Sequence, residues 1–232
     1  QADSAGGGLY IYNIKFITLS NTSLENNKAM KYGGGLYISN VNLTKILHCF
    51  VTLNSAPNGG GLFVYLVNFV MKVNSSITYN KAHKGAALYS QFSDNITIKN
   101  SIITNNVAQD VGALFYKQCK VVSIILSMFK NNAAGLKQVI YARQSHLVSF
   151  IKSLFVNNRA GSQSYAGMSF EMVNYTKIVR SKFSHNFGHI YYGVHIVNFY
   201  KIDNHENVFM NGMGTGITAH YGNELITNNC IM

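Results

Sequence analysis

Short apolar segments recur along this chain at a nearly constant spacing. In the copy GGGLYI, an aliphatic residue follows a run of glycines and precedes an aromatic residue. The aliphatic residue returns nine times, at steps of 27, 26, 26, 26, 26, 28, 26 and 23 residues. Its positions are Leu9, Leu36, Leu62, Leu88, Leu114, Ile140, Met168, Val194 and Ile217. A repeat of this length predicts a solenoid with one coil per repeat.

A second motif keeps the same register. It consists of an apolar residue, two variable residues, Asn, one variable residue and a small residue, as in LENNKA and FVNNRA. Its asparagines are Asn27, Asn54, Asn80, Asn106, Asn132, Asn158 and Asn186. Asn tolerates the left-handed backbone of tight turns, and stacked amides can hydrogen-bond along a column. We therefore expect a structural asparagine ladder, which Gly212 interrupts in the next coil.

A third apolar segment lies between the two motifs, as in IKFITL (14–19) and VVSIIL (121–126). Each repeat thus holds three short segments rich in β-branched and aromatic residues, separated by Gly and Asn. The pattern predicts an all-β fold, a right-handed parallel β-helix of about nine coils with three strands per coil. We expect residues 1–232 to form one such domain, a rod ~38 Å long.

Alternation within the first segment assigns the inside and the outside of the tube. The nine aliphatic positions are expected inside, because they carry Leu, Ile, Met or Val throughout. The next position then faces outward and forms an aromatic stripe: Tyr10, Tyr37, Phe63, Tyr89, Phe115 and Tyr141. The last three coils have Ser169, His195 and Thr218 there instead. Such a stripe suits lateral packing against another segment or rod, and tyrosines also suit contact with carbohydrate.

The chain is strongly basic, with 19 Lys and Arg against eight Asp and Glu and a net charge of +11. Most coils have one lysine in the middle segment: Lys15, Lys45, Lys72, Lys99, Lys120, Lys152, Lys177 and Lys201. Their phases drift by several residues, which predicts a basic face. Such a face resists aggregation, and it also attracts acidic polysaccharide or cell-surface glycans. Nucleic acid is disfavoured because the exposed aromatics do not alternate with the lysines.

Five Asn-x-Ser/Thr sequons begin at turn positions next to the middle segment. They start at Asn21, Asn42, Asn74, Asn95 and Asn174. A glycan at such a turn would project into solvent, so we expect some of them to be glycosylated if the source is eukaryotic. The three cysteines, Cys49, Cys119 and Cys230, are expected as unpaired thiols; Cys49 and Cys230 lie too many coils apart for a disulfide.

The acidic residues argue against hydrolase chemistry, because glycoside hydrolysis needs two carboxyl groups within several ångströms of each other. No two of the eight acids share a phase in adjacent coils. They are Asp3, Glu25, Asp94, Asp110, Glu171, Asp203, Glu206 and Glu224. Five histidines gather in the last coils with differing phases: His185, His189, His195, His205 and His220. We therefore predict no catalytic residues, no metal site and no cofactor.

The two ends of the chain suggest that the repeat continues beyond them. The sequence begins without Met or a signal peptide, and the last coil is unfinished at Met232. Open coil ends expose unpaired strand edges, which natural proteins cover. We expect a fragment of a longer chain, or a segment that continues into other subunits. No stretch approaches the roughly 20 apolar residues of a membrane-spanning helix.

The two motifs together resemble the GGA-[ILV] and FxxN repeats of the chlamydial polymorphic outer-membrane proteins. The resemblance rests on GGGLYI, GGGLFV, GAALYS and VGALFY, in register with motifs such as FKNN and FVNN, and it covers nearly the whole chain. It extends to repeats in large surface proteins of some protists. The resemblance implies a β-helical passenger used in adhesion or surface architecture. After the sixth coil the glycines are lost, in KQVIYA, YAGMSF and YYGVHI.

These patterns favour a non-enzymatic, structural or adhesive rod located outside the cell or at its surface. It would be a building block of a surface appendage, filament or coat, with other copies or other subunits of that assembly as partners. Two alternatives stay open. One is a carbohydrate-binding surface module that uses the aromatic stripe and the basic face, and the other is a polysaccharide lyase or hydrolase.

Overall fold

The computed structural model describes residues 4–161, 167–188, 191–212, 215–228 and 230–231. These residues lie in strands, turns and short connections, and the described ranges contain no helix. The strands, numbered in chain order, are β1 Leu9–Ser20, β2 Ser23–Glu25, β3 Leu36–Leu47, β4 Phe50–Thr52, β5 Leu62–Val67, β6 Phe69–Val73, β7 Ser76–Thr78, β8 Lys81–Lys84, β9 Leu88–Gln91, β10 Asn95–Lys99, β11 Ile102–Thr104, β12 Val107–Val111, β13 Leu114–Lys117, β14 Val121–Ile125, β15 Met128–Lys130, β16 Ala133–Ala134, β17 Ile140–Ile151, β18 Leu154–Val156, β19 Met168–Val179, β20 Lys182–Ser184, β21 Tyr191–His205, β22 Val208–Met210 and β23 Thr215–Asn228.

All strand pairs between these elements are parallel, and the predicted repeat sets their register. The nine aliphatic marker residues form eight pairs between successive coils, from Leu9 with Leu36 to Val194 with Ile217. The chain therefore winds as a parallel β-helix, as the sequence pattern predicts. The strands of the asparagine motif form a separate eight-stranded sheet, β2-β4-β7-β11-β15-β18-β20-β22.

The structure differs in two details from the predicted arrangement of three separate strands per coil. In β1, β3, β17, β19, β21 and β23 the first and middle segments run on as one long strand, which bends at a left-handed residue such as Asn13 (φ 58°) or Gln144 (φ 55°). A fourth short segment also pairs in coils three to five, as the sheet β16-β12-β8. Both details concern the corners between strands, whose conformation the spacing of apolar residues does not predict.

The core is a single stack of side chains inside the tube. The marker residues from Leu36 to Val194 are buried, and Leu9 and Ile217 at the two outer coils are partly covered. A second inward column changes from aliphatic residues to phenylalanine in the later coils. There Phe129, Phe155, Phe183 and Phe209 stack face to face, with ring centroids 5.1, 4.8 and 4.6 Å apart. Burial of these apolar columns is the main driving force for stacking the coils.

Glycines form the corner before the first strand. Gly6, Gly33 and Gly59 have φ values of 66, 61 and 66°, which side-chain-bearing residues adopt only at a cost. At Gly34 the backbone of the next coil is so close that an added Cβ would lie 2.4 Å from the carbonyl oxygen of Gly60. The glycine runs thus form tight turns, both because they adopt a positive φ and because they let the backbone of the next coil approach closely.

Candidate functional site

The seven predicted asparagines lie in one column, and each is hydrogen-bonded to the next. In the central part, the backbone N–H and the Nδ2 of Asn80 both donate to Oδ1 of Asn106, each at 3.0 Å. Asn106 repeats the pattern with Asn132. From Asn54 onward each Nδ2 also donates backward to a backbone carbonyl, as from Asn106 to Ile77 at 2.9 Å. The amide groups of the ladder interior are therefore satisfied on both sides, inside a buried column.

The ladder asparagines themselves do not have the left-handed backbone that we expected of them. That conformation belongs to the preceding residue in every coil. The left-handed residues are Asn26, Leu53, Tyr79, Asn105, Asn131, Asn157, His185 and Asn211. The reason is that the side chain of the ladder residue must point inward, while the corner itself forms one position earlier. Leu53 and Tyr79 are costly in this conformation, which stays populated because the ladder and the sheets hold the corner.

A second polar ladder, which the sequence analysis missed, occupies the corner before the asparagine-motif strand. The backbone N–H of Ser101 donates to Oγ of Ser127 at 3.2 Å, and Ser127 donates likewise to Ser153. Each hydroxyl also donates to the carbonyl two residues earlier, as from Ser101 to Lys99 at 2.9 Å. The column runs Thr22, Cys49, Ser75, Ser101, Ser127, Ser153, Ser181, Asn207 and Cys230. The spacing of its serines in the sequence would have revealed it.

The aromatic stripe is a continuous stack of rings on the outside of the first strands. Tyr10 and Tyr37 lie 4.9 Å apart with an interplanar angle of 3°, and Phe63, Tyr89 and Phe115 follow at 5.4, 4.9 and 4.6 Å. Tyr141 continues the column, tilted by 43°.

The stripe is less exposed than the expected outward position implies. Phe63 and Phe115 are only 5% and 8% exposed, whereas Tyr10 in the first coil is 54% exposed. The ring of Tyr32, from the preceding corner, covers Phe63 at 4.7 Å. Because each ring faces its neighbours along the stack, most ring faces are already occupied. What the stripe presents to solvent is mainly ring edges and phenol hydroxyls.

The stripe ends at a cluster of polar side chains. The hydroxyl of Tyr141 donates to Glu171 at 2.7 Å, and Arg143 lies 3.9 Å from the same carboxylate. Burial, followed by the hydrogen bond to Glu171, raises the pKa of Tyr141 well above its ordinary value, so the phenol stays protonated. Beyond it, burial and then the neighbouring His220 lower the pKa of His195. These contacts close the aromatic column on its C-terminal side.

A groove runs beside the stripe in coils two to four. Its volume is about 370 Å³, within the range of small-ligand sites. Tyr32 and Asn58 form one wall, and Tyr65 and Gln91 form the other. The floor consists of Tyr37, Phe63 and Tyr89. The Tyr89 hydroxyl donates to Oε1 of Gln91 at 3.2 Å, which orients the amide, so its NH₂ group is free to point away from the ring. The groove therefore offers amides and phenols on an aromatic base.

The lysines of the middle segment do not form one column. Lys45 pairs with Thr18, Lys177 with Ser149, and Lys201 with Tyr175 on the neighbouring strands. Lys120 forms an ion pair with Asp94 at 2.8 Å. The side chain of Lys72 lies outside the described part of the structure. The lysines thus spread over the surface, in agreement with the drift of their phases.

Ion pairs engage most of the acidic residues. Within the described ranges, which exclude Asp3, only Glu25 forms no ion pair. Lys201 lies 3.7 Å from Asp203 and 3.3 Å from Glu224, so two carboxylates from adjacent coils flank one ammonium group. The comparison of phases missed this pair because Lys201 bridges positions two residues out of phase. Lys201 and Asp203 also line a small groove with Tyr175 and His146.

The late histidines that the structure describes do not gather into a metal site. His195 and His220 contact each other with ring centroids 5.5 Å apart. His189 lies outside the described residues. Among the residues that the structure describes, no group of three or more His, Cys, Asp or Glu side chains is placed to hold a metal ion.

The five sequon asparagines lie on the surface, at two kinds of position. Asn21 and Asn74 are exposed and left-handed, at the corner after the middle segment. Asn42 and Asn174 are exposed within β3 and β19, and Asn95 is half-buried at the start of β10. Only Asn21 and Asn74 are thus turn residues in the strict sense, because the middle segment begins earlier than its apolar pattern indicates.

The three cysteines are free thiols in this structure. Cys49 and Cys119 are buried and Cys230 is partly exposed. Cys49 and Cys230 stand in the serine column, where each Sγ donates to the carbonyl two residues earlier. Cysteine thus replaces serine in that ladder while keeping its local hydrogen bond.

Among the described residues, no helix is long and apolar enough to cross a membrane. No protein-family model, no curated protein and no solved structure matches this chain.

Proposed function

We propose that this chain is a non-enzymatic structural or adhesive rod of the extracellular space or cell surface, related to the polymorphic outer-membrane protein repeats. It serves as a building block of an appendage, filament or coat. The observation that carries the proposal is the asparagine ladder, which links seven successive coils through buried side chains. Such a column gives a rod the same cross-section and the same coupling along its length, as a scaffold requires.

Three features support a role without catalysis. The aromatic stripe is covered largely by its own neighbours, the described acids other than Glu25 are ion-paired, and the polar ladders are satisfied within the fold. Each of these groups is engaged in contacts within the rod, which leaves it unavailable to bind or activate a substrate.

Electron microscopy of native source material tests the proposal. We expect an extended polymer or surface layer in which a labelled antibody against this chain marks a regular repeat. Isolated molecules in solution, without any surface or polymer attachment, would contradict it.

A carbohydrate-binding surface module is the second candidate, and the groove lined by Tyr32, Asn58, Tyr65 and Gln91 favours it. Amides and phenols around an aromatic base suit a sugar, whose hydroxyls need several hydrogen-bond partners and whose ring carbons need apolar contact. Replacing Tyr37, Tyr89 and Tyr141 with Ser separates the two candidates. Lost assembly supports packing of the stripe, and lost glycan binding with intact assembly supports recognition.

A hydrolase is the third candidate, and Asp203 with Glu224 is the carboxylate pair nearest to its requirement. Both carboxylates contact the same Lys201 ammonium group, whereas hydrolysis needs two carboxyl groups that face the scissile bond. We therefore rank it last. Release of reducing sugar from a panel of polysaccharides, abolished by Glu224→Gln, would overturn this ranking.

A further inference from the structure

The sequence contains a long stretch that is basic without any acidic residue. Between Glu25 and Asp94 it has six lysines and no Asp or Glu; the lysines are Lys28, Lys31, Lys45, Lys72, Lys81 and Lys84. This stretch forms coils two and three and the adjoining parts of coils one and four. No carboxylate within this stretch offsets the charge of its lysines.

Part of this charge lines a second groove, which lies one corner away from the first. The groove has a volume of about 580 Å³ and a floor of small residues, Ala29, Ala56 and Ala82. Lys28 and Lys81 stand on its rim, two coils apart in the column Lys28–Ser55–Lys81, and His83 lies on its other side. All three of these side chains are exposed, and the residues that line the groove include no acid.

The two grooves share a ridge. Along this ridge Tyr32 pairs with Asn58, and Asn58 pairs with Lys84. Tyr32 and Asn58 also line the first groove. The preceding ridge residues, Pro57 and His83, line the second groove. A ligand that crosses the ridge would meet amides and phenols on one side and ammonium groups on the other.

We infer that this corner of coils two to four is a binding site for an acidic oligosaccharide. The inference deepens the second candidate function and rests on it. Sugar hydroxyls bind Asn58, Gln91 and the phenols in the first groove, and carboxylate or sulfate groups bind Lys28 and Lys81 in the second. Lys28 and Lys81 are two strand spacings apart, about 9.6 Å, so a polymer with acidic groups at a similar spacing contacts both lysines at once.

Calorimetric titration of the 232-residue chain tests the site, with three probes of equal length. These are an oligogalacturonide, which carries carboxylates, a heparin oligosaccharide, which carries sulfates, and an uncharged cello-oligosaccharide. We expect binding of at least one acidic probe. The acidic probe that binds more tightly shows whether the site prefers carboxylate or sulfate groups. Equal affinity for the uncharged probe, or no binding of either acidic probe, overturns the inference.

Matched double variants separate a built site from general attraction to a basic rod. Lys28→Ser with Lys81→Ser should weaken binding about tenfold at low salt, since each exposed pair contributes modestly. Lys130→Ser with Lys182→Ser removes the same charge from exposed positions of the short-strand sheet, outside both grooves, and should leave the affinity nearly unchanged. Equal losses in the two double variants overturn the site.

A third double variant tests the shared use of both grooves. Asn58→Ala with Gln91→Ala should also cost about tenfold, through the lost hydrogen bonds, and the loss should persist at high salt, where the lysine contribution fades. Unchanged affinity in this variant overturns the two-groove site. The assay uses the isolated chain, so its failure leaves the structural rod intact, and the absence of a polymer in microscopy leaves this result intact.

Discussion

A ladder asparagine makes hydrogen bonds to the coils on both sides, so a central rung and an end rung are not equivalent. Oδ1 of Asn106 accepts two hydrogen bonds from Asn80, and its Nδ2 donates to Ile77 and Asn132. Asn27, at the first rung, only donates to Asn54. The position of a rung therefore decides how many buried polar groups its loss leaves unpaired.

Asn106→Ala should lower the free energy of unfolding by about 4 kcal/mol, because it leaves several buried donors and acceptors without partners. Asn27→Ala, with the same chemical change at the end rung, should cost about 1 kcal/mol. Urea unfolding followed by circular dichroism measures both. Equal costs would mean that the ladder is not the coupling element.

The inward-facing Tyr116 is fully buried, and its hydroxyl has no hydrogen-bond partner in the described structure. Tyr116→Phe should therefore raise the free energy of unfolding by about 1 kcal/mol, because the penalty of burying that hydroxyl disappears. Tyr141→Phe is the control, since it loses the 2.7 Å hydrogen bond to Glu171 and should be destabilising. A destabilised Tyr116→Phe would show that the hydroxyl has a partner after all.

His195 makes stability depend on pH. Burial, then His220, lowers its pKa in the folded chain, with Glu171 opposing, so the unfolded chain binds more protons at mildly acidic pH. This contribution is fully present above the ordinary histidine pKa of about 6.5 and is lost as the pH falls through the lower folded value. His195→Gln should flatten the pH dependence of the thermal midpoint between pH 7.5 and 5, compared with the unsubstituted chain. Identical profiles for the variant and the unsubstituted chain would refute this assignment.

Among the elements, the short strands of the asparagine motif contain the phenylalanine stack. Phe155 is fully buried between Phe129 and Phe183, so its replacement by Ala should cost about 4 kcal/mol through lost contacts and a cavity. Tyr10→Ala removes a ring of similar size from the exposed end of the outer stack and should cost less than about 1 kcal/mol. Denaturant midpoints compare the two. A smaller effect at Phe155 would show that the inner stack is loosely packed.

The elements also show how far the sequence predicts the structure. The spacing of Leu9, Leu36 and their counterparts predicts the strand register, because parallel coils must place equivalent residues above one another. It does not predict the direction of each corner, and this explains the errors. Phe63 is buried because Tyr32 folds over it, and Asn27 is not left-handed because the corner forms at Asn26.

The candidate site was harder to predict than the fold. The aromatic stripe followed from alternation, but the grooves beside it depend on corners that bring Tyr32 and Asn58 next to Tyr65 and Gln91. The serine ladder could have been predicted from its regular spacing. A single serine per repeat is nevertheless easy to overlook, because no pattern of apolar residues distinguishes it from other polar positions. The contact of Asp203 and Glu224 with Lys201 depends on side-chain length, which a comparison of phases ignores.

At the scale of the whole molecule, the charge of +11 is a source of repulsion. Salt screens it, with a Debye length of about 10 Å at 0.1 M. The thermal midpoint should therefore rise as sodium chloride increases from about 20 to 300 mM. A midpoint that falls with added salt would show that the ion pairs outweigh the repulsion.

The asparagine ladder also gives the rod a direction. Between successive rungs the side-chain and backbone N–H groups donate toward the later coil, and the Oδ1 atoms accept from the earlier one. A coil added beside Asn27 must therefore bring donors, whereas the coil that follows Asn186 has Gly212 at the ladder position and brings no side-chain acceptor. Two such columns joined donor to donor, or acceptor to acceptor, would leave the junction unbonded. Growth by this ladder is polar, like that of a filament with distinct plus and minus ends, and it disfavours a mirror-like dimer that joins two Asn27 ends.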